Sequence, residues 1–311
     1  MKRVVVAICV LVFGMVVIIS IAALIFSNAS TEMKFDELQR EAIIRATEAD
    51  AWFVYVDCFE DLAFFFSHTH DFSEENIRNM LRNVLYANNT YHEVYIGFTD
   101  DTAIMGSGFP IEEYYDWWRA TERSWFRAAL VDTDRTNFTS MYIDAATGDL
   151  FITASRAVMR DGLLLGVIGI DIIVSPLQDI VFGATLNGEG FSFLLDSNGD
   201  VLIHPDVRLA PNRDGLFENL DTARNGAYSG LWRQISASDG LHSFISPENV
   251  QMYCYSVRLS EIDLILVSVL PGSIVSQPVT SVLLLIIPIA LVILIISTVL
   301  ICVFSIRRPP R

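Results

Sequence analysis

The chain has 311 residues, 52% of them hydrophobic, and a formal charge of −16. Residues 27–278 hold all 37 Asp and Glu but only 16 of the 21 Lys and Arg, a local net charge of −21. A field of that sign keeps a domain soluble and disfavours nucleic acid and anionic membrane surfaces as partners.

The first element is Val4 to Phe26, 23 residues without a charge. It exceeds the roughly 20 residues needed to cross a bilayer as a helix and is too long for the apolar region of a cleaved leader. Lys2 and Arg3 precede it. A second apolar run, Val279 to Phe304, precedes Arg307, Arg308 and Arg311. The positive-inside tendency then puts both termini in the cytoplasm and residues 27–278 outside it, in a two-pass plasma- or inner-membrane protein.

From Ser27 to Asp71 there is neither Gly nor Pro, and apolar residues recur at Phe35, Leu38, Ala42, Ala46, Ala49, Phe53, Val56, Phe59, Ala63 and Phe66. Steps of three and four predict a helical stalk over 27–70 that continues the first span outward. The near-heptad stripe predicts a parallel homodimer through the stalk and transmembrane helices; packing on the chain's own domains also accounts for it, and the two are compatible. His68, His70 and Asp71 stand at the end of the stalk, but no third metal ligand at a suitable spacing accompanies them.

Next comes a short amphipathic helix, Glu74 to Tyr86, after which the pattern turns to period two. A hairpin is expected over 91–108, then a short helix opened by Arg123 in "RSWFRAALVD", then three strands over 138–174. Ser175-Pro176 starts another helix, with the Pro preset for the first turn. The pattern repeats in smaller form: a hairpin over 190–205 turned by Asn198-Gly199, then strands at 242–246, 250–259 and 263–272. The fold class is therefore α+β. Two PAS-like antiparallel modules, 71–185 and 186–278, sit on the stalk between two transmembrane helices.

One constellation carries chemistry. Arg123 and Trp125 open a helix, Tyr142 and Asp144 alternate on a strand, and Asp171 ends the apolar run "GVIGID". A carboxylate among apolar neighbours needs a cation or hydrogen-bond donors. The set suits a polarised pocket, with Arg123 and the Trp125 N–H on a carboxylate and the acids on an ammonium. The same residues also suit an internal salt bridge among packing aromatics. No nucleophile, metal set or cofactor motif accompanies them, so an enzyme is not expected. Cys58 and Cys254 are the only cysteines outside the spans, and both a disulfide and two buried thiols remain open.

The order of "RSWFRAAL", "YIDAATGDLFITASRAVMRDGLLLGVIGIDI" and "GFSFLLDSNGDVLIHP" behind a long juxtamembrane helix resembles the double Cache family. These are extracellular sensors of bacterial and archaeal chemoreceptors, histidine kinases and diguanylate cyclases. The resemblance covers most of residues 30–275 and is closest to the amino-acid-binding subclass. It implies a ligand in the membrane-distal module, with Arg123 and Trp125 at its carboxylate and Tyr142, Asp144 and Asp171 at its amine. Phe126 and Trp118 occupy positions where the subclass usually has Tyr, which puts the ligand's identity in doubt. His204-Pro205 matches a turn of the second module. Seven residues follow Phe304, so the output is expected in a longer chain or a separate membrane partner. The rival function is a ligand-free scaffold whose acidic ectodomain docks a partner.

Overall fold

The computed structural model describes residues 2–55, 59, 62, 65, 66, 73–114, 117–144, 147–183, 188–211, 216–276 and scattered positions between 284 and 299. Helix α1, Lys2–Tyr55, runs for 54 residues, about 80 Å at 1.5 Å per residue. Its N-terminal part carries exposed apolar side chains all round, among them Leu11, Ile18 and Leu24. Val10–Tyr55 is long and apolar enough to cross a membrane. The second apolar run, Cys58 and the His68, His70 and Asp71 group lie largely or wholly outside the described residues.

Beyond the apolar part, α1 becomes one-sided. Leu38, Ala42, Ala46, Ala49 and Phe53 are all buried, and so are the helical residues Phe59 and Phe66. Each fully buried Phe contributes about 1.5–3 kcal/mol relative to exposure. The three alanines keep the helix close to what it covers. At these described positions the near-heptad stripe packs within the chain itself.

The first sheet packs toward the far end of α1. Helix α2, Glu74–Ala87, precedes β1 (Tyr91–Phe98) and β2 (Ala103–Met105). After α3 (Ile111–Tyr114) and α4 (Ser124–Ala129) come β3 (Asn137–Phe138), β4 (Tyr142–Ile143), β5 (Leu150–Arg160) and β6 (Leu163–Ile173). The antiparallel order is β2-β1-β6-β5-β3, with β4 also paired to β5. The sheet has six strands against about five expected, because the stretch before β5 splits into two short strands. Asp161 and Gly162, at φ 51° and 77°, turn the β5–β6 hairpin, the left-handed pair that a tight hairpin requires.

Helix α5, Ser175–Phe182, then leads to the second sheet. That sheet comprises β7 (Phe191–Asp196), β8 (Val201–Ile203), β9 (Gly240–Ile245), β10 (Gln251–Arg258) and β11 (Leu264–Pro271), in the order β8-β7-β11-β10-β9. Helix α6, Ser229–Ala237, covers its outer face and was not anticipated from the sequence. Strand β11 is apolar from Leu264 to Leu270 except at Ser268, because both its faces are covered. Leu264 and Leu266 join the core around α1, whereas Ile265, Val267 and Val269 join the core under α6. Cys254 is a free, buried thiol whose pKa burial pushes up to about 12.

Contacts along α1 order the two sheets relative to its apolar end. Phe35 meets Tyr253 of β10 at 5.0 Å, whereas Phe53 meets Phe138 of β3 at 5.3 Å. The second sheet is therefore the one nearer the apolar segment. Between these points the Asp50 carboxylate accepts hydrogen bonds from the backbone N–H groups of Ser260 and Glu261 and from the Ser260 hydroxyl, at 2.9–3.1 Å. This ties the stalk to the β10–β11 turn.

Candidate functional site

Strands β1, β5 and β6 build a two-faced floor. Val94, Ile96, Ile152, Ile168, Ile170 and Ile172 point toward the helices and join the main core. The alternate positions Tyr95, Thr153, Val167, Gly169 and Asp171 face the other way. Register aligns them: Tyr95 lies opposite Gly169, and Thr153 lies opposite Asp171. "GVIGID" is therefore an alternating strand, with glycine and aspartate on the pocket side.

The glycines set the shape of this floor. A Cβ at Gly169 would lie 2.3 Å from Cε2 of Tyr95, so the tyrosine ring lies flat across the bare backbone. A Cβ at Gly97 would lie 2.7 Å from Cη2 of Trp125. The Tyr95 and Trp125 rings meet edge-on, with centroids 4.9 Å apart. Strand glycines of this kind mark close approach by a neighbouring group.

Above the floor is a cavity of about 420 Å³, inside the range of roughly 300–1,000 Å³ usual for small-ligand sites. Trp118, Arg123, Trp125, Tyr142 and Asp171 all line it, five residues singled out from the sequence. Tyr95, Met105, Ile111, Ser124, Thr139, Ser140, Met141 and Thr153 complete the lining. None of these eight was picked from the sequence. Tyr95 and Thr153 were readable in principle, as the same-face partners of Asp171 once the strand register is known.

Phe126 and Asp144 do not line the cavity. Phe126 is buried behind Trp125, at 5.6 Å between ring centroids, and acts as packing beneath the pocket wall. Strand β4 ends at Ile143, so the expected alternation stops before Asp144. The Asp144 carboxylate turns into its own loop and accepts the Thr147 N–H at 2.8 Å.

The acidic pole is Asp171. Its Oδ1 accepts the Thr153 hydroxyl at 2.7 Å and the Tyr95 hydroxyl at 2.9 Å. The Tyr142 hydroxyl lies 3.2 Å from Thr153 Oγ1. Burial raises the Asp171 pKa above the usual carboxylate range, and the hydrogen bonds from Thr153, Tyr95 and Tyr142 only partly offset it. Burial beside Asp171 likewise raises the pKa of both tyrosines. Desolvation outweighs the three donors and the charge of nearby His92 together.

The basic pole is Arg123. It is the N-cap of α4: its N–H donates to the Ala120 carbonyl at 3.1 Å, and its own carbonyl accepts from Arg127 at 3.2 Å. The backbone is thereby fixed while the guanidinium is exposed at the cavity wall. Among the described residues no hydrogen bond or ion pair engages that guanidinium, and none joins it to Asp171. A cation and an acid thus face one cavity from separate elements without neutralising each other.

Residues 77–179 match the family described as the methyl-accepting chemotaxis protein-like, first PDC sensor domain. The ligand-binding domain of the Pseudomonas aeruginosa PAO1 chemoreceptor PctC, solved with GABA, superposes with a TM-score of 0.64 at 21% identity, covering 76% of this chain and 99% of that one. The chain has the fold of that ligand-binding domain. The same fold also aligns with the sensory domain of Campylobacter jejuni Tlp3 with isoleucine bound, at a TM-score of 0.59 and 15% identity, over 81% of this chain and 98% of that one. Among full-length relatives, chemotaxis protein McpC of Bacillus subtilis (strain 168) is 32% identical over 97 residues, 31% of this chain and 15% of McpC. PctB of Pseudomonas aeruginosa is 28% identical over 136 residues, 44% of this chain and 21% of PctB. These matches span about a fifth or less of each relative's length.

Proposed function

We propose that the chain is an extracytoplasmic sensor whose first-sheet pocket takes an amino acid, or a related small amine or carboxylate. The observation that carries this is the pair of unbonded opposite charges, Arg123 and Asp171, on the wall of one cavity. A zwitterion satisfies both at once. Its ammonium supplies the missing cation for Asp171, and its carboxylate meets Arg123 and the N–H of Trp125 or Trp118. Similarity to a PctC domain solved with GABA and a Tlp3 domain solved with isoleucine supports the same ligand class.

The remaining lining narrows the choice. Arg123 and Asp171 are the charged residues among those described around the cavity, and the rest of the wall includes Met105, Ile111, Met141 and Trp118. A ligand side chain there meets thioethers, an aliphatic chain and an indole, so apolar side chains are favoured over charged ones. Occupancy would draw α4 toward β5 and β6, whose other face shares one apolar core with α1, and a shift of roughly 1–2 Å along that helix is the proposed output. Homodimerisation would use helix surface outside the buried stripe, and a separate or longer cytoplasmic segment would receive the signal.

The test is a thermal-shift screen of the full chain in lipid nanodiscs against the twenty amino acids, GABA and simple amines. A Tm increase with one or a few apolar amino acids is expected, abolished by Arg123→Gln and by Asp171→Asn. A flat response across the screen from a cooperatively unfolding protein would reject the reading.

A further inference from the structure

The second sheet has a cavity of its own, of about 530 Å³, which the ligand reading above leaves unused. Its walls are aromatic: Phe191 and Phe193 from β7, Tyr228 ahead of α6, and Phe244 from β9. Tyr228 and Ser246 can also hydrogen-bond from this wall, but His204 is the buried polar side chain on it. His204, just after β8, is only 9% exposed. The backbone N–H of Asp206 donates to its Nδ1 at 2.9 Å, which places the ring proton on Nε2. Phe191 and Phe193 hold the ring at 5.5 and 5.1 Å.

No partner accepts from Nε2 among the described residues. The sealed side-chain polar atoms that lack a partner there are Trp52 Nε1 and Thr136 Oγ1. Nε2 of His204 is not one of them, so it keeps some accessible surface, and His204 lines the cavity. Burial lowers the ring's pKa to about 4, and the donor is therefore a neutral imidazole. A ligand acceptor that replaces water at this donor would pair with it in a setting largely shielded from solvent.

The rim carries charges, but they are spoken for. Arg208 donates through Nε to both Asp206 oxygens at 2.8 and 3.0 Å, and Arg224 donates to Glu248 at 2.9 Å. An anion would meet no free cation here and would also oppose the domain's −21 charge. A cation would find no unpaired carboxylate within. We infer that this cavity is a second ligand site, taking an uncharged aromatic or cyclic molecule that presents one hydrogen-bond acceptor to Nε2–H of His204. Because this sheet is the nearer one to the apolar end of α1, occupancy there acts on the stalk separately from the first pocket.

The experiment uses the full chain in nanodiscs with acetophenone as probe, since it is a neutral ring with one carbonyl acceptor. α-Methylstyrene, the same shape without the acceptor, and benzoate serve as comparisons. Saturation-transfer NMR reads binding, and the ¹⁵N shift of His204 Nε2 reads the contact. Acetophenone is expected to bind and move that shift, with α-methylstyrene and benzoate at least ~10-fold weaker. His204→Phe should erase the preference over α-methylstyrene. Val250→Trp, at a lining position that is 42% exposed and so tolerant of change, should block both rings. Asp171→Asn should leave acetophenone binding intact. Three results would each overturn the assignment: no saturation transfer at millimolar acetophenone, binding unaltered by Val250→Trp, or loss of binding in Asp171→Asn.

Discussion

Replacing Asp171 with Asn separates a ligand-binding carboxylate from a structural one. The two side chains have nearly the same shape, and the amide oxygen can still accept from Thr153 and Tyr95, which both donate to Oδ1 at 2.7 and 2.9 Å. Only the charge is removed. In the unliganded protein that charge is a burden, because burial raises its pKa by more than the hydrogen bonds and the nearby His92 lower it. The variant should therefore unfold at the same denaturant midpoint as the parent or a higher one. With ligand bound the outcome reverses, since an ammonium loses its counter-charge in a largely desolvated setting. Truncating one partner of such a pair costs about 2–5 kcal/mol, which is roughly a 30- to 4,000-fold loss of affinity at about 1.4 kcal/mol per decade. Calorimetric titration of the nanodisc-embedded chain, beside urea unfolding without ligand, measures both. Normal affinity together with loss of more than ~1 kcal/mol of stability would mean that Asp171 is a structural element of the sheet, and the proposed amine contact would fall.

Three further outcomes follow from the same geometry. Affinity for an amino acid should fall as pH drops below the raised Asp171 pKa, by up to about tenfold per pH unit. The carboxylate must be ionised to face the ammonium, and its folded pKa lies above the usual value, so the loss begins at higher pH than for an ordinary Asp; titrations at several pH values, flat in Asp171→Asn, check this. Gly169→Ala drives a methyl into the Tyr95 ring and should cost about 1–3 kcal/mol of stability while displacing the Tyr95–Asp171 bond, with Tyr95→Leu restoring stability but not affinity. Asp50→Ala removes the acceptor that ties α1 to Ser260 and Glu261, so hydrogen exchange at residues 259–264 should quicken with the amino-acid affinity unchanged.

Local pattern determined the helix-then-two-sheets order and most strand positions, and it drew attention to Arg123, Trp125, Tyr142 and Asp171, which only the family resemblance set together as a ligand site. Those features depend on periodicity, turn chemistry and the rarity of an Arg and an Asp in such surroundings, all of which are visible over short windows. Asp144 misled because alternation holds only while the chain stays extended, and β4 ends one residue too soon. The stalk stripe was ambiguous for a different reason: a helix presents the same apolar face to a second stalk or to its own sheets, and only the packed structure shows Leu38, Ala42, Ala46 and Ala49 buried within the chain. Tertiary structure alone also placed Tyr95 and Thr153 beside Asp171, since strands far apart in sequence are brought into line by hydrogen-bond register. It likewise decided that Arg123 and Asp171 stand apart across a cavity, because whether two opposite charges meet depends on the separate elements that hold them.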